Sequence, residues 1–162
     1  MIRLYHTIII AAIALICCSA TAAAQNPQND DSDRRRMLEE VRNYKHQFIT
    51  RELDLTKEQQ SEFFPVYDEM EDRLTRLNAE TRDLEQRVSS DAQASDVEVE
   101  AAARALFGLK RAEGDIENEY FDKFKQILNP KQLLGLKNTE RKFTQQLMMH
   151  HRRLRGDGRH KQ

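Results

Sequence analysis

Leu55-Thr56-Lys57-Glu58-Gln59 opens the stretch that decides the fold, and it runs into a stripe at Phe63, Tyr67, Met70, Leu74, Leu77, Thr81, Leu84 and Val88. The steps along this stripe alternate between 4 and 3. Such a heptad spacing predicts one long helix from Lys57 to Val88 with a narrow apolar seam. Thr56 is suited to cap the backbone N–H of Gln59, and the Gln59 side chain to reach back to that of Thr56, a reciprocal capping box. At ~1.5 Å per residue the helix would be about 48 Å long. A compact domain of this size has a diameter of roughly 37 Å, so an elongated molecule is expected.

Beyond Val88, Ser89 to Ala94 reads as a turn, and Ser95 with Glu98 forms a second capping box. The next helix is expected to run to about Leu128, with a seam at Val99, Ala102, Leu106, Leu109, Glu113, Ile116, Tyr120, Phe124 and Ile127. Two long helices joined by a short connection should lie antiparallel as a hairpin. Thr81 and Glu113 interrupt the two seams with polar groups. Gly108 and Gly114 each cost up to ~1 kcal/mol against alanine, which implies either close helix approach or a soft point. Pro65 removes an N–H inside the first long helix and strands the Ser61 carbonyl, at about 3 kcal/mol in a regular helix. A kink beside Phe63 and Phe64 is expected there, either as a tolerated bend or as the shaper of a concave surface.

The flanking segments complete an all-α, four-helix reading. Asn129 is suited to cap a last helix with Pro130 at its first position, continued by Leu136, Phe143, Leu147 and Leu154. Upstream, Asp33 can cap a first helix whose Met37, Val41, Tyr44 and Phe48 share one face. Arg34, Arg35 and Arg36 oppose the dipole of that helix, so they are either tolerated at the surface or serve a partner. His46 lies off the seam and should face solvent. Residues 25–33 read as a flexible lead-in, 34–154 as the helical domain and 155–162 as a basic disordered tail.

Residues 1–24 have the layout of a secretory signal peptide: a basic start at Arg3, an apolar run from Thr7 to Cys18, then small residues. Cleavage is expected after Ala24, with Ala22 as the other candidate. The alanine-rich end argues against a retained membrane anchor, and Ile16 and Cys17 are poor predecessors for a lipid-modified cysteine. Cleavage would remove Cys17 and Cys18, the two cysteines of the chain, and suit the remainder to an oxidising compartment. A third of the residues are charged, tryptophan is absent, and glycine and proline are scarce. This composition fits long helices and argues against a sheet.

Net charge near zero conceals an uneven layout. Between Glu52 and Asp122 there are 20 acidic and 8 basic residues, whereas Arg141 to Gln162 holds 7 basic and one acidic. Most of these charges read as solvated helix faces. An exported chain rarely meets nucleic acid, so the basic end points to an acidic partner, a membrane surface or the acidic helices themselves. Catalysis is not indicated: there is no glycine-rich phosphate loop, and no histidine stands beside a credible serine or carboxylate pair. No cofactor is called for.

A weak repeat links the two ends of the hairpin. Phe48 stands seven residues before Leu55-Thr56-Lys57-Glu58-Gln59, and Phe121 stands seven before Leu128-Asn129-Pro130-Lys131-Gln132. With these paired motifs behind a signal peptide, the chain resembles the Spy/CpxP family of small helical periplasmic proteins, named for Leu-Thr-x-x-Gln motifs. Leu55, Thr56 and Gln59 match in full. Leu128 and Gln132 match the second copy, where Asn129 replaces the threonine. The resemblance covers roughly Arg34 to Leu154. It implies a periplasmic location, a curved helical homodimer and one of several functions: an ATP-independent chaperone under envelope stress, a modulator of a stress-sensor protein, or a binder of zinc or other metals.

Chaperone activity suits the residues best. Narrow seams leave apolar surface that must be shared with another copy or a client. Phe63, Phe64, Tyr67 and Met70 are candidates for apolar client contact, or for internal or dimer core, and Arg34, Arg35 and Arg36 for attracting acidic client segments. The alternative is metal sensing through the end bearing Met148, Met149, His150, His151 and His160. Adjacent histidines on a helix point about 100° apart, and a closed site needs three or four ligands in fixed geometry, so these are weak ligand candidates.

Overall fold

The computed structural model describes residues 27–157, with side chains described for residues 32–149. The described residues form four helices and no strand: α1 (Pro27–Leu53), α2 (Lys57–Ser90), α3 (Asp96–Phe124) and α4 (Pro130–Asp157). The all-α architecture built on a long helical hairpin is as the seams require. Two compact units divide the chain. One is the hairpin of α2 and α3 within Glu58–Asn129; the other brings α1, through Lys57, onto α4. Residues 1–26, which include the stretch 1–24 expected to be a signal peptide, and residues 158–162 of the expected tail lie outside the described residues.

In the hairpin unit, α2 buries Phe63, Tyr67, Met70, Leu74, Asn78 and Thr81, and α3 buries Ala102, Tyr120 and Phe124. The apolar weight is gathered at one end. Phe63 stacks on Tyr67 with ring centroids 5.2 Å apart and meets Phe124 at 5.1 Å, while Tyr120 lies 6.4 Å from Phe124. Ring pairs at such spacings add to the burial of their surface, which is worth about 1.5–3 kcal/mol per large side chain. Beyond Thr81 the seam thins, and Leu84 and Val88 are only half-buried. The helix continues across Pro65, which is exposed, so water can serve the Ser61 carbonyl freed there.

The expected turn is present. The Ala94 N–H donates to the Asp91 carbonyl, and the Gln93 N–H to the Asp91 carboxylate. Ser95 caps α3 in extended backbone, its hydroxyl accepting from the Glu98 N–H while Glu98 accepts from the Ser95 N–H at 2.8 Å. This is the reciprocal box read from the sequence.

In the second unit, Phe143 of α4 lies 5.7 Å from both Tyr44 and Phe48 of α1. Lys45 stands 5.9 Å from its ring centroid, and Lys142 pairs with Glu52 at 2.7 Å. Gly135 admits close approach here: a Cβ at that position would meet the Leu53 Cδ2 at 3.0 Å.

Several expectations are corrected. α1 begins at Pro27, so 27–33 is helical and Asp33 lies inside the helix. The face of α1 that is buried holds Lys45, Phe48, Ile49 and Leu53, with Met37 and Tyr44 exposed. Packing, not the 4-3-4 spacing, selected that face. Asn78 takes the buried place expected for Leu77. α3 ends at Phe124 rather than near Leu128, and α4 continues to Asp157, into the expected tail. His46 is half-buried. Gly108 and Gly114 have open space where a Cβ would stand, so neither serves close approach.

Candidate functional site

The two motif copies stand at the helix junctions and do more than begin helices. Asp54 adopts φ 50°, and the Leu55 N–H returns to the Thr50 carbonyl at 3.0 Å. A left-handed residue followed by a six-to-one return bond is the Schellman closure of α1. Leu55, 5% exposed, is the apolar residue that seals it, beside the fully buried Ile49. At the other copy the Leu128 N–H donates to the Phe124 carbonyl at 2.8 Å, and Leu128 is likewise buried. Each motif leucine thus closes the helix before it, while Thr56 and Asn129 stand just ahead of the first residues of α2 and α4.

The motif glutamines act at long range. Within the hairpin unit the Gln59 Nε2 donates to the Ile127 carbonyl at 3.0 Å. Within the other unit the Gln132 Nε2 donates to the Leu53 carbonyl at 3.2 Å. Carbonyls at a helix end lack an intrahelical partner, and each glutamine supplies one in the turn that leads into the opposite copy of the motif. The capping-box reading of Gln59 did not contain this contact. The equal spacing of the two copies was the available signal.

A second polar feature sits in the hairpin. The Asn78 Nδ2 donates to the Leu74 carbonyl and to the Glu113 carboxylate, the latter at 2.8 Å, and Lys110 reaches the same carboxylate at 3.2 Å. Thr81, buried one turn on, donates to the Leu77 carbonyl. The two interruptions noted in the seams, Thr81 and Glu113, therefore belong to a satisfied polar layer, with Asn78 as the member the heptad reading missed.

Charge pairs tie the helices within each unit. Arg73 donates to both oxygens of Glu119 at 2.7 and 2.8 Å, and its guanidinium lies over Tyr120. The hydrogen bond from Arg73 holds the Glu119 carboxyl below the usual carboxylate range, as the one from Lys142 does for Glu52 and the one from Ser95 for Glu98.

The expected client-contact residues divide. Arg34, Arg35 and Arg36 are exposed on α1. Phe63, Tyr67 and Met70 are 0%, 1% and 2% exposed, and Phe64 is half-buried. The aromatic group beside Pro65 is core, because Phe124 and Tyr120 of α3 close over it. Large apolar side chains stand in solvent elsewhere: Val97, Val99, Leu106, Phe107 and Phe121 on α3, and Leu134 on α4. Val97, Phe107, Phe121 and Leu134 lie off the seams read from the sequence, whereas Val99 and Leu106 lie on them and are nevertheless exposed.

Of the metal candidates, the His150 and His151 side chains and all of His160 lie outside the described residues. The described residues contain no cluster of three or more metal-ligating side chains. No helix among them is long and apolar enough to cross a membrane. A groove at the hairpin tip, lined by Leu84, Val88, Ala101, Arg87 and Glu98, measures about 230 Å³, below the ~300 Å³ at which ligand pockets begin.

These features define an all-α protein of two helical units whose junctions are closed by paired motifs. No family model, curated protein or solved structure matches the chain.

Proposed function

We propose that this chain is an exported, ATP-independent chaperone that weakly and reversibly holds partly unfolded proteins of the cell envelope. The observation that supports it most directly is the distribution of apolar side chains. The ring cluster at the base of the hairpin is sealed, yet Phe107 is 91% exposed, Leu134 84% and Val97 77%. Single exposed apolar residues are ordinary. A run of them on one helix, outside a core that is already complete, marks an interaction surface.

Export rests on the signal-peptide layout of residues 1–24, and the envelope setting on the resemblance carried by Leu55, Thr56, Gln59, Leu128 and Gln132. Holding by exposed side chains on rigid helices needs no nucleotide and no reacting group. The test is light scattering from a chemically denatured protein diluted into buffer without nucleotide. Scattering should fall with increasing amounts of the mature chain, residues 25–162. Scattering unchanged at several-fold excess would refute the reading.

A further inference from the structure

On α4, Lys131, Leu134, Asn138, Arg141, Gln145 and Met149 follow one another at steps of 3, 4, 3, 4 and 4, and all six are exposed. Residues so spaced share one helix face, here about 27 Å long at ~1.5 Å per residue. The buried residues of α4, among them Leu136, Thr139, Glu140 and Phe143, centre about half a turn away at ~100° per residue. The exposed face is surplus to the packing of the α1–α4 unit: Leu134 is 84% exposed on it and Met149 53%.

Its charges can be followed one by one. α4 carries seven basic residues and two acidic, Glu140 and Asp157. Glu140 lies beneath Lys137, which pairs with it at 3.2 Å; the Glu140 side chain is 10% exposed and that of Lys137 50%. Lys142 is likewise the more exposed partner in its pair with Glu52 of α1. Lys137 and Lys142 stand on the two flanks of the stripe, and in both pairs the lysine is the outer member. The end of α1 and the turn after it bring Arg51, Glu52, Asp54 and Lys57, two charges of each sign. Between the flanks, the stripe holds Lys131 and Arg141 and no carboxylate. The helix continues to Asp157, which places Arg152 on the stripe and Arg153 and Arg155 at the register of Lys142 and Lys137.

We infer that this face of α4 binds an anionic phospholipid surface, with its cations on headgroup phosphates and with Leu134 and Met149 entering the boundary between headgroups and acyl chains. A helix face that combines basic and apolar side chains is what such a surface takes up, and each lysine or arginine near it adds attraction that falls off within a Debye length. Arg141 can hold a phosphate through two parallel N–H bonds. The pattern suits a lipid surface better than an acidic protein. Protein interfaces gather their apolar anchors centrally in packed pockets, whereas Leu134 and Met149 stand about 22 Å apart along one convex helix at ~1.5 Å per residue, with Arg141 and amides between them. A planar array of anionic headgroups asks for nothing more. The hairpin and its exposed apolar side chains take no part in this contact, so attachment and the holding of clients are separable.

Sedimentation with sucrose-loaded vesicles tests this, using residues 25–162 so that the apolar run from Thr7 to Cys18 adds no affinity of its own. At low salt the chain should bind phosphatidylcholine vesicles containing a third phosphatidylglycerol about tenfold more tightly than phosphatidylcholine alone, and the gap should close as salt rises. Arg141→Gln should weaken binding about fivefold, the share of one cation near such a surface. Leu134→Ser should weaken it several-fold. Both variants should keep the native helical circular-dichroism spectrum, because both side chains are exposed. Arg104→Gln, on the hairpin, should leave binding unchanged and so separate this face from net charge.

Equal binding to the two kinds of vesicle, binding that Arg141→Gln or Leu134→Ser leaves untouched, or an equal loss with Arg104→Gln would overturn the inference. A polyglutamate peptide that binds more tightly than the anionic vesicles, with the same sensitivity to Arg141→Gln, would give the face to an acidic protein. A native dimer that Leu134→Ser converts to monomer would give it to a second copy. Either result overturns the lipid assignment, while suppression of scattering by the hairpin is read separately and stands or falls on its own test.

Discussion

Gln59 and Gln132 illustrate how little a side chain's sequence neighbourhood says about its work. Both sit three residues past a capping position, yet their amides serve the carbonyls of Ile127 and Leu53, 68 and 79 positions away along the chain. Gln132 is buried and Gln59 half-buried. Gln132→Ala leaves the Leu53 carbonyl with one partner fewer in a dry setting and should destabilise by about 1–3 kcal/mol, against about 0.5–1.5 kcal/mol for Gln59→Ala. Urea unfolding of the two variants gives the comparison, and a larger loss for Gln59→Ala would contradict it. The carboxylates make a second residue-scale prediction. Glu52, Glu98 and Glu119 all release their protons more readily in the folded chain than at the ordinary value of 4.5, through bonds from Lys142, Ser95 and Arg73 respectively. The folded state therefore binds fewer protons, and its stability is full above pH 4.5 and drains as pH falls through the lowered values. Glu52→Gln should leave the melting temperature unchanged in acid, where Glu52 is already protonated, and lower it slightly near neutrality, flattening the acid limb by that same small amount, as suits an exposed pair.

At the scale of the element, the hairpin was legible because its signals are local. The heptad stripe, the Ser95–Glu98 box and the Asn129–Pro130 start are all written within one or two turns of chain, and α2, α3 and α4 begin where those signals stand. What could not be read was decided across helices. Asn78 is buried instead of Leu77 because Glu113 waits opposite. Met37 and Tyr44 share a helical face with Phe48, but Phe48 is buried while Tyr44 stays exposed although the Phe143 ring of α4 meets both. Val99 and Leu106 lie on the seam of α3 as Phe63 lies on that of α2, yet Phe63 is sealed by Phe124 while Val99 and Leu106 stay open. The polar layer itself can be tested. Asn78→Ala removes a donor from Glu113, whose side chain is only 12% exposed, and should cost about 1–3 kcal/mol. Replacing Asn78 and Glu113 together by leucine should recover that loss or exceed it, as removing both members of a buried polar pair commonly does. A double variant less stable than Asn78→Ala would show that the layer contributes stability beyond its own satisfaction. Gly108 and Gly114, with open space at their Cβ positions, should each stabilise α3 by about 0.5–1 kcal/mol when changed to alanine. Gly135 should not behave this way, since its missing Cβ makes room for Leu53.

For the molecule as a whole, the order of assembly follows from how far each unit must reach along the chain. The hairpin unit needs only the short turn at Asp91–Ser95 to bring α2 back along α3, and Ser95, Glu98 and Asp91 all favour that turn. The other unit joins α1 to α4, segments separated by the entire stretch Glu58–Asn129. Closing a longer loop costs more chain entropy before any contact rewards it, and non-local pairing is correspondingly late. The hairpin should therefore form in the folding transition state and the α1–α4 unit after it. Phe124 and Phe143 report on the two events, each nearly inaccessible to solvent and each in ring contact with the facing helix. Conservative truncation to leucine is sufficient to weaken both clusters without emptying them. Phe124→Leu should appear mainly as slower folding and Phe143→Leu mainly as faster unfolding in stopped-flow denaturant-jump experiments. The reverse assignment, with Phe143→Leu slowing folding, would mean that the distant ends of the chain meet first, and the local signals around Ser95 would then not be what starts the fold.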